Sequence, residues 1–467
     1  RALAPVIPFW PAIGGLAPAD RLAYLHGAAG VTYGELGERA DAVAAGLRAA
    51  GVRPGDAVAV ALANGPAFLE AMHGVLRSGA AILPLHERLT ASELAQQVAG
   101  VRPVLLIDDG TRPDVGRALG LAGRTIASLA SGPVPSGPAA QRALPPDATL
   151  AILFTSGTTG TPKPVRLSVA NFLWATLASA SVLGSDPGDR WLACLPPAHV
   201  GGLSIYLRSA LCGSAVVMHH RFDPDLANRA IDDDRVTIVS LVAATLERLI
   251  AARQGRPFPA SLRCLLVGGG PIPADLLDAC ARIGAPVAPT YGLTEATSQV
   301  ATRPPGTGGT GVGTPLPGVS VRIADDGEIL VKGPTVCAAS ADREGWLHTG
   351  DLGALDGSGE LHVLGRRDDL IVTGGEKVRP EEVEAALESH RAVAESAVAG
   401  VMDGAMGHSV VAWVRLREGA GVSAAELREH VAGRLARFKA PRRVHFVDEL
   451  PRTPLGKLAR RRLSEPT

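Results

Sequence analysis

Short unbroken apolar runs alternate with longer segments of helical period along most of the chain. Residues 57–62, 104–108, 148–154, 191–195, 214–219, 237–241 and 264–267 are runs of this kind. At that length they read as strands buried on both faces. Between them, 32–50, 66–78, 168–182, 202–211, 225–233, 243–253 and 273–283 carry helical patterns. Thr32 and Glu35 form a capping box for the first of these and Gly51 stops it, while Ser168 caps the third. Strands and helices in alternation predict an α/β fold of parallel sheets covered by helices, with ligands at the carboxyl ends of the strands.

From Gly311 the pattern changes. Residues 319–323, 327–331 and 360–364 read as short strands separated by Gly and Asp turns, a small β subdomain. Beyond it, helices at 381–389 and 424–437 and strands near Val393 and Val410 form a last α+β unit. The boundary is placed at Gly365-Arg366-Arg367-Asp368, giving a large domain over 1–367 (β subdomain 310–365) and a small one over 368–467. Residues 131–146, rich in Pro, Gly and Ser, read as a loop.

Composition narrows the partners. At 467 residues the chain exceeds one ordinary core, in keeping with two or more domains. Its 46 basic and 46 acidic residues cancel, so no global field draws it to nucleic acid or membrane. The most apolar stretch, 57–85, is broken by Asn64-Gly65-Pro66 and carries Glu70 and Arg77, so it is not a membrane span. The five cysteines are scattered with no C-x-x-C, which speaks against a disulfide framework or zinc site and for a reducing cytoplasm. The opening Arg1-Ala2-Leu3-Ala4-Pro5 has no initiator Met and no sustained apolar region; it is read as a trimmed start without a signal peptide. Whether the chain forms a homodimer is left open.

The chemistry concentrates first in Thr155-Ser156-Gly157-Thr158-Thr159-Gly160-Thr161-Pro162-Lys163, which follows the apolar run 148–154. Glycines let several N–H groups converge, and the hydroxyls and Lys163 add donors and charge, as a phosphate cradle requires. The Walker A pattern is not met, and a solvated Ser/Thr/Gly linker is the plain alternative. Lysine is scarce: only Lys163, Lys332, Lys377, Lys439 and Lys457 occur, so a lysine in a motif setting carries weight.

Four further motifs follow in order: Tyr291-Gly292-Leu293-Thr294-Glu295, Thr349-Gly350-Asp351, Gly365-Arg366-Arg367-Asp368-Asp369 and Pro454-Leu455-Gly456-Lys457. With the Ser/Thr/Gly stretch, they resemble the adenylate-forming superfamily of acyl-CoA synthetases, adenylation domains and luciferases over nearly the whole chain. Residues 196–204 (Pro-Pro-Ala-His-Val-Gly-Gly-Leu-Ser) and 294–299 are most similar to the 2-succinylbenzoate–CoA ligases of menaquinone synthesis. The resemblance implies a large domain, a small mobile C-terminal domain, and a two-step reaction with ATP, Mg2+ and coenzyme A. A carboxylate attacks the α-phosphate to give acyl-AMP and pyrophosphate, and the CoA thiol then displaces AMP.

Residue roles are carried by the same resemblance. Lys457 would meet charge developing at the α-phosphorus, a contact worth roughly 3–4 kcal/mol. Thr155, Ser156, Gly157, Thr158, Thr159, Gly160 and Lys163 would hold the phosphates. Gly268, Gly269, Gly270, Tyr291, Gly292 and Thr294 would complete the nucleotide site, with Asp351 on the ribose and Arg366 near ribose or phosphates. Glu295 would hold Mg2+, although a helix-terminal acid is the ordinary reading. Asp368 is the expected hinge, and Gly374, Gly375 and Lys377 would line the CoA channel.

For the acid substrate, 196–211 contain no Asp or Glu to bind an α-amine, which disfavours an amino acid. His199 would flank or gate the acyl pocket. Ser204 and Arg208, four apart, share a helix face, and Arg208 could grip a second carboxylate or be an exposed cation. Ser298 and Gln299 could supply polar contacts. Other acids, a carrier-protein-dependent adenylation domain and a nucleotide-binding module without chemistry are the alternatives. Pro164 stands where the family usually has Gly, and Thr161 where Lys is common, so a stiffer phosphate loop with one cation fewer is expected.

Overall fold

A computed structural model describes residues 17–132, 144–155, 162–373, 376–403, 407–452 and 458–463. Residues 1–321 with 331–347 form one compact unit, and 322–330 with 348–467 form a second. This grouping differs from the sequence-based boundary at 367/368, since much of the expected β subdomain falls in the second unit.

The first unit is built on two sheets. One has six strands in the order Gly123–Arg124, Leu105–Asp108, Ala57–Ala61, Ala81–Pro84, Thr149–Thr155, Lys163–Ser168. All neighbours are parallel except the last pair. The other has nine strands, whose centre (Cys264–Val267, Ile238–Leu241, Arg190–Ala193, Ala215–Met218) is parallel. Antiparallel hairpins close both of its edges. The central strands are buried along their length except at the end residues Ala61 and Arg190, as their unbroken apolar runs require. Helix Tyr33–Ala49 starts at the Thr32/Glu35 capping box, and Val169–Leu183 starts at Ser168 with Asn171 answering as its N3 partner. Each such cap contributes about 1 kcal/mol. Helix Pro66–Ser78 begins on proline and ends at Gly79 in the left-handed region (φ 88°).

The second unit carries a sheet in which Ile371–Thr373 lies between Glu376–Val378 and Gly407–Leu416, with Val393–Asp403 and Arg443–Phe446 pairing the latter. Helices Pro380–Glu388 and Ala424–Ala432 close a core of Val383, Leu387, Val398, Val410, Val414, Leu427 and Val431. The second helix stops at Gly433, short of the expected Arg437. Residues 349–351 lie within a nine-residue strand, Leu347–Leu355.

Candidate active site

The strand Thr149–Thr155 pairs antiparallel with Lys163–Ser168, so the two ends of the expected phosphate loop are neighbouring strand ends. Thr155 stands opposite Lys163 in the ladder, and Phe154 opposite Pro164. Ser156, Gly157, Thr158, Thr159, Gly160 and Thr161 lie outside the described residues. The pairing fixes the two ends of the loop, with Lys163 exposed at its mouth. Pro164 sits on the edge strand of the sheet, the position where a missing N–H costs a ladder least.

The strand Cys264–Val267 runs into three glycines with different reasons for being there. A Cβ on Gly268 would lie 2.8 Å from Thr290 Cγ2, and Gly269 has φ +85°. A Cβ on Gly270 meets nothing within 4 Å, so only there is the fold itself indifferent to a side chain.

Tyr291-Gly292-Leu293-Thr294-Glu295 lies on a hairpin between strands Val287–Leu293 and Ser298–Thr302. The register shifts between Tyr291 and Gly292, and a Cβ on Gly292 would collide with the Ser298 carbonyl. A 3₁₀ turn, Thr294–Ala296, is followed by Thr297 at φ 54° and Ser298 at φ 90°, a strained backbone for residues with side chains. The turn is held there from 335–337: Thr297 Oγ1 donates to the Thr335 carbonyl (2.6 Å) and the Cys337 N–H donates to the Glu295 carbonyl (2.7 Å). Glu295 is half-buried, and its carboxylate has no partner among the described residues. A hard oxygen donor left unpaired on a rigid turn fits Mg2+. Gln299 is buried; its Nε2 donates to Thr302 Oγ1 (2.8 Å), and its Oε1 has no partner.

The segment expected to bind the acid is anchored by Asn64, just beyond the strand Ala57–Ala61. Asn64 donates to the Leu195 carbonyl (3.0 Å) and accepts from Tyr206 Oη (2.8 Å). His199 is the N-cap residue of helix Val200–Cys212, and Gly202 lets that helix pass against the Pro196 carbonyl. Ser204 is 1% exposed and its hydroxyl has no partner. One turn on, Arg208 is 4% exposed, so the exposed-cation reading is excluded. Its Nε and Nη2 have no partner, its guanidinium lies 5.7 Å from the Trp191 ring, and burial lowers its pKa to about 10. Arg208 lines a narrow cavity with Thr176, Ser179, Trp191 and Cys212. The other expected acyl residues do not line that cavity. Asp189, which does, is engaged by Arg263 (2.5 Å) and Thr237 (2.8 Å).

In the second unit, Asp351 and Arg366 are cross-strand partners joined by a 2.8 Å ion pair, and Arg366 also donates to the Thr349 carbonyl (3.2 Å). Gly350, at φ +69°, brings its backbone against the Arg366 guanidinium. Buried Glu328 ties this motif down, accepting from the Gly350 N–H (2.8 Å) and Arg367 (3.0 Å) and contacting His348 Nδ1 (3.0 Å). Arg460 collects Glu384 (2.6 Å), Asp369 (3.0 Å) and Glu381 (3.1 Å). Neither Glu328 nor Arg460 stands out in the sequence, because each sits beside like charges (Asp325-Asp326 and Arg461-Arg462) and nothing local tells which of them is engaged. Asp368 falls in the 3₁₀ turn Arg367–Asp369 and Lys377 in strand Glu376–Val378. Gly374, Gly375 and Lys457 lie outside the described residues.

Known proteins agree with this architecture. The AMP-binding enzyme family matches residues 16–339, and the AMP-binding enzyme C-terminal domain matches 382–457. The chain is 38% identical to a 2-succinylbenzoate–CoA ligase of Geobacillus sp. (strain WCH70) over 98% of its length and 97% of the relative's. It is 40% identical to that of Geobacillus kaustophilus over 95% and 94%. An o-succinylbenzoate CoA synthetase from Bacillus subtilis, solved with its acyl-adenylate intermediate, superposes with a TM-score of 0.88 at 34% identity, covering 98% of each chain. ATP-bound MatB from Rhodopseudomonas palustris gives a TM-score of 0.91 at 29% identity over 97% of each. With both family domains in order and relatives aligned end to end, the chain belongs to the AMP-binding, adenylate-forming enzymes.

Proposed function

We propose that this chain is an ATP-dependent acid–CoA ligase that activates 2-succinylbenzoate. The acid's carboxylate oxygen attacks the α-phosphorus of ATP and pyrophosphate leaves. The CoA sulfur then attacks the acyl carbonyl and AMP leaves. The observation that carries the substrate is Arg208. A guanidinium this buried, with two donors unpaired, is costly unless an anion reaches it. An aromatic dicarboxylate supplies one, while a fatty acid or benzoate activated through its only carboxylate does not. Ser204, one turn earlier on the same helix face, is a second buried polar group of this segment, although it does not line the cavity at Arg208.

The remaining roles follow the family chemistry. Thr155, Lys163 and the intervening loop bind the pyrophosphate portion, and Gly270, Tyr291 and Thr294 border the nucleotide. Asp351 takes the ribose hydroxyls and Arg366 is drawn to the same nucleotide. Glu295 would hold Mg2+, which neutralises phosphate charge when bound. Lys457 is the adenylating lysine, Asp368 the hinge, and Gly374, Gly375 and Lys377 face CoA. The compartment is the cytoplasm, consistent with five free cysteines.

Pyrophosphate release and CoA-thioester formation over a panel of acids test this reading. Expected is a preference for 2-succinylbenzoate over benzoate and medium-chain fatty acids, with thioester made from free CoA. A monocarboxylic acid as the best substrate would overturn the substrate assignment, and no product with free CoA would point to a carrier protein.

A further inference from the structure

The strand Ala81–Pro84 is the parallel neighbour of the strand that leads into the phosphate loop. Two residues beyond its carboxyl end stands His86, 6% exposed. Its Nδ1 accepts the Arg88 N–H at 3.1 Å, so the proton of the neutral ring sits on Nε2. Burial, reinforced by Arg88, lowers its pKa and keeps the ring neutral. Nε2 has no hydrogen-bond partner. A buried N–H donor without an acceptor costs free energy that a packed core normally avoids. The ring centroid lies 5.0 Å from that of His199, with the planes inclined by 51°. His86 thus joins the end of the phosphate-loop sheet to the acyl segment. If the acid lies along 199–208, as proposed above, its reacting carboxylate meets the phosphates at that junction.

We propose that His86 is a second imidazole of the acid-binding site, a neutral Nε2–H donor that holds the substrate carboxylate and its acyl-adenylate beside His199. This rests on the reading of 196–208 as the acyl segment. An N–H donor suits this place because both the carboxylate and the acyl-adenylate carbonyl are acceptors. A protonated ring would compete with the cations that must meet the phosphates.

His86→Phe keeps a ring against His199 and removes the donor; His86→Gln restores an amide N–H at similar reach. In pyrophosphate-release kinetics, His86→Phe should raise KM for the acid about tenfold, the loss of one hydrogen bond, with KM for ATP unchanged. His86→Gln should recover most of that loss. An unchanged acid KM in His86→Phe, or parallel rises in both KM values in both variants, would overturn the proposal. Should the Phe variant not fold, the wild-type imidazole ¹⁵N spectrum decides: the His86 Nε2 signal should move on adding 2-succinylbenzoate, and an unmoved signal overturns the proposal. His199→Ala and Arg208→Met separate the two levels. If they raise the acid KM while His86→Phe does not, only the His86 role fails. If none of the three raises it, the acyl-segment reading fails with it.

Discussion

Arg208 separates stability from specificity at a single residue. An unpaired buried cation is poorly solvated, and replacing it by an apolar side chain of similar volume is commonly neutral or stabilising. Arg208→Met is therefore expected to keep or raise Tm while raising KM for 2-succinylbenzoate about 10–100-fold and leaving benzoate nearly unaffected. Thermal melts and kinetics with both acids check this. Glu381 offers a pH test. Burial raises its pKa from 4.5 to about 7 against the pull of Arg460. Between those values the folded chain holds a proton that the unfolded chain has released. The resulting stabilisation is complete below pH 4.5 and is lost as pH rises through 7. Glu381→Gln should therefore melt higher than wild type at pH 8, with the gap closing near pH 5. A constant gap would mean that Glu381 does not titrate in this window.

At the scale of elements, the hairpin 287–302 and the glycine turn after Val267 divide fold from ligand. Gly292→Ala forces a Cβ into the Ser298 carbonyl across a bulge, and a loss of roughly 2–4 kcal/mol is expected, read as a lower Tm. Gly270→Ala meets nothing in the protein, so its Tm should stay at the wild-type value. A raised KM for ATP in Gly270→Ala would then report a nucleotide packed against that turn. Pro164 on its edge strand is accommodated by the sheet, which is why a residue that departs from the family pattern leaves the hairpin intact.

At the scale of the whole molecule, the proposed roles assign the two half-reactions to different residues. Lys457→Ala is expected to abolish acyl-AMP formation from acid and ATP, yet to make thioester from pre-formed acyl-AMP and CoA at a rate near wild type. Equal loss of both halves would remove Lys457 from its adenylating role. Substituting Asp368 by Pro should slow the overall reaction through one half-reaction more than the other, if rotation at that residue links the two poses.

The sequence by itself determined what depends on local pattern. Continuous apolar runs marked most of the buried parallel strands, though not Ala81–Pro84, whose run follows helix Pro66–Ser78 almost without a break. Thr32/Glu35 and Ser168 marked helix starts, and the ordered glycine, hydroxyl, acid and lysine motifs marked adenylate chemistry. Strands 163–168, 298–302 and 443–446 escaped, because edge strands and hairpin returns are half-polar and lack a two-sided apolar run. Only tertiary structure decided that Arg208 is buried without an acid partner, that Gly292 answers to a carbonyl six residues on, and that Glu328 anchors Thr349-Gly350-Asp351 within its strand. Tertiary structure also set His86 against His199, residues more than a hundred positions apart. Burial and pairing are properties of what packs around a side chain, and those neighbours come from distant parts of the chain that no local period encodes.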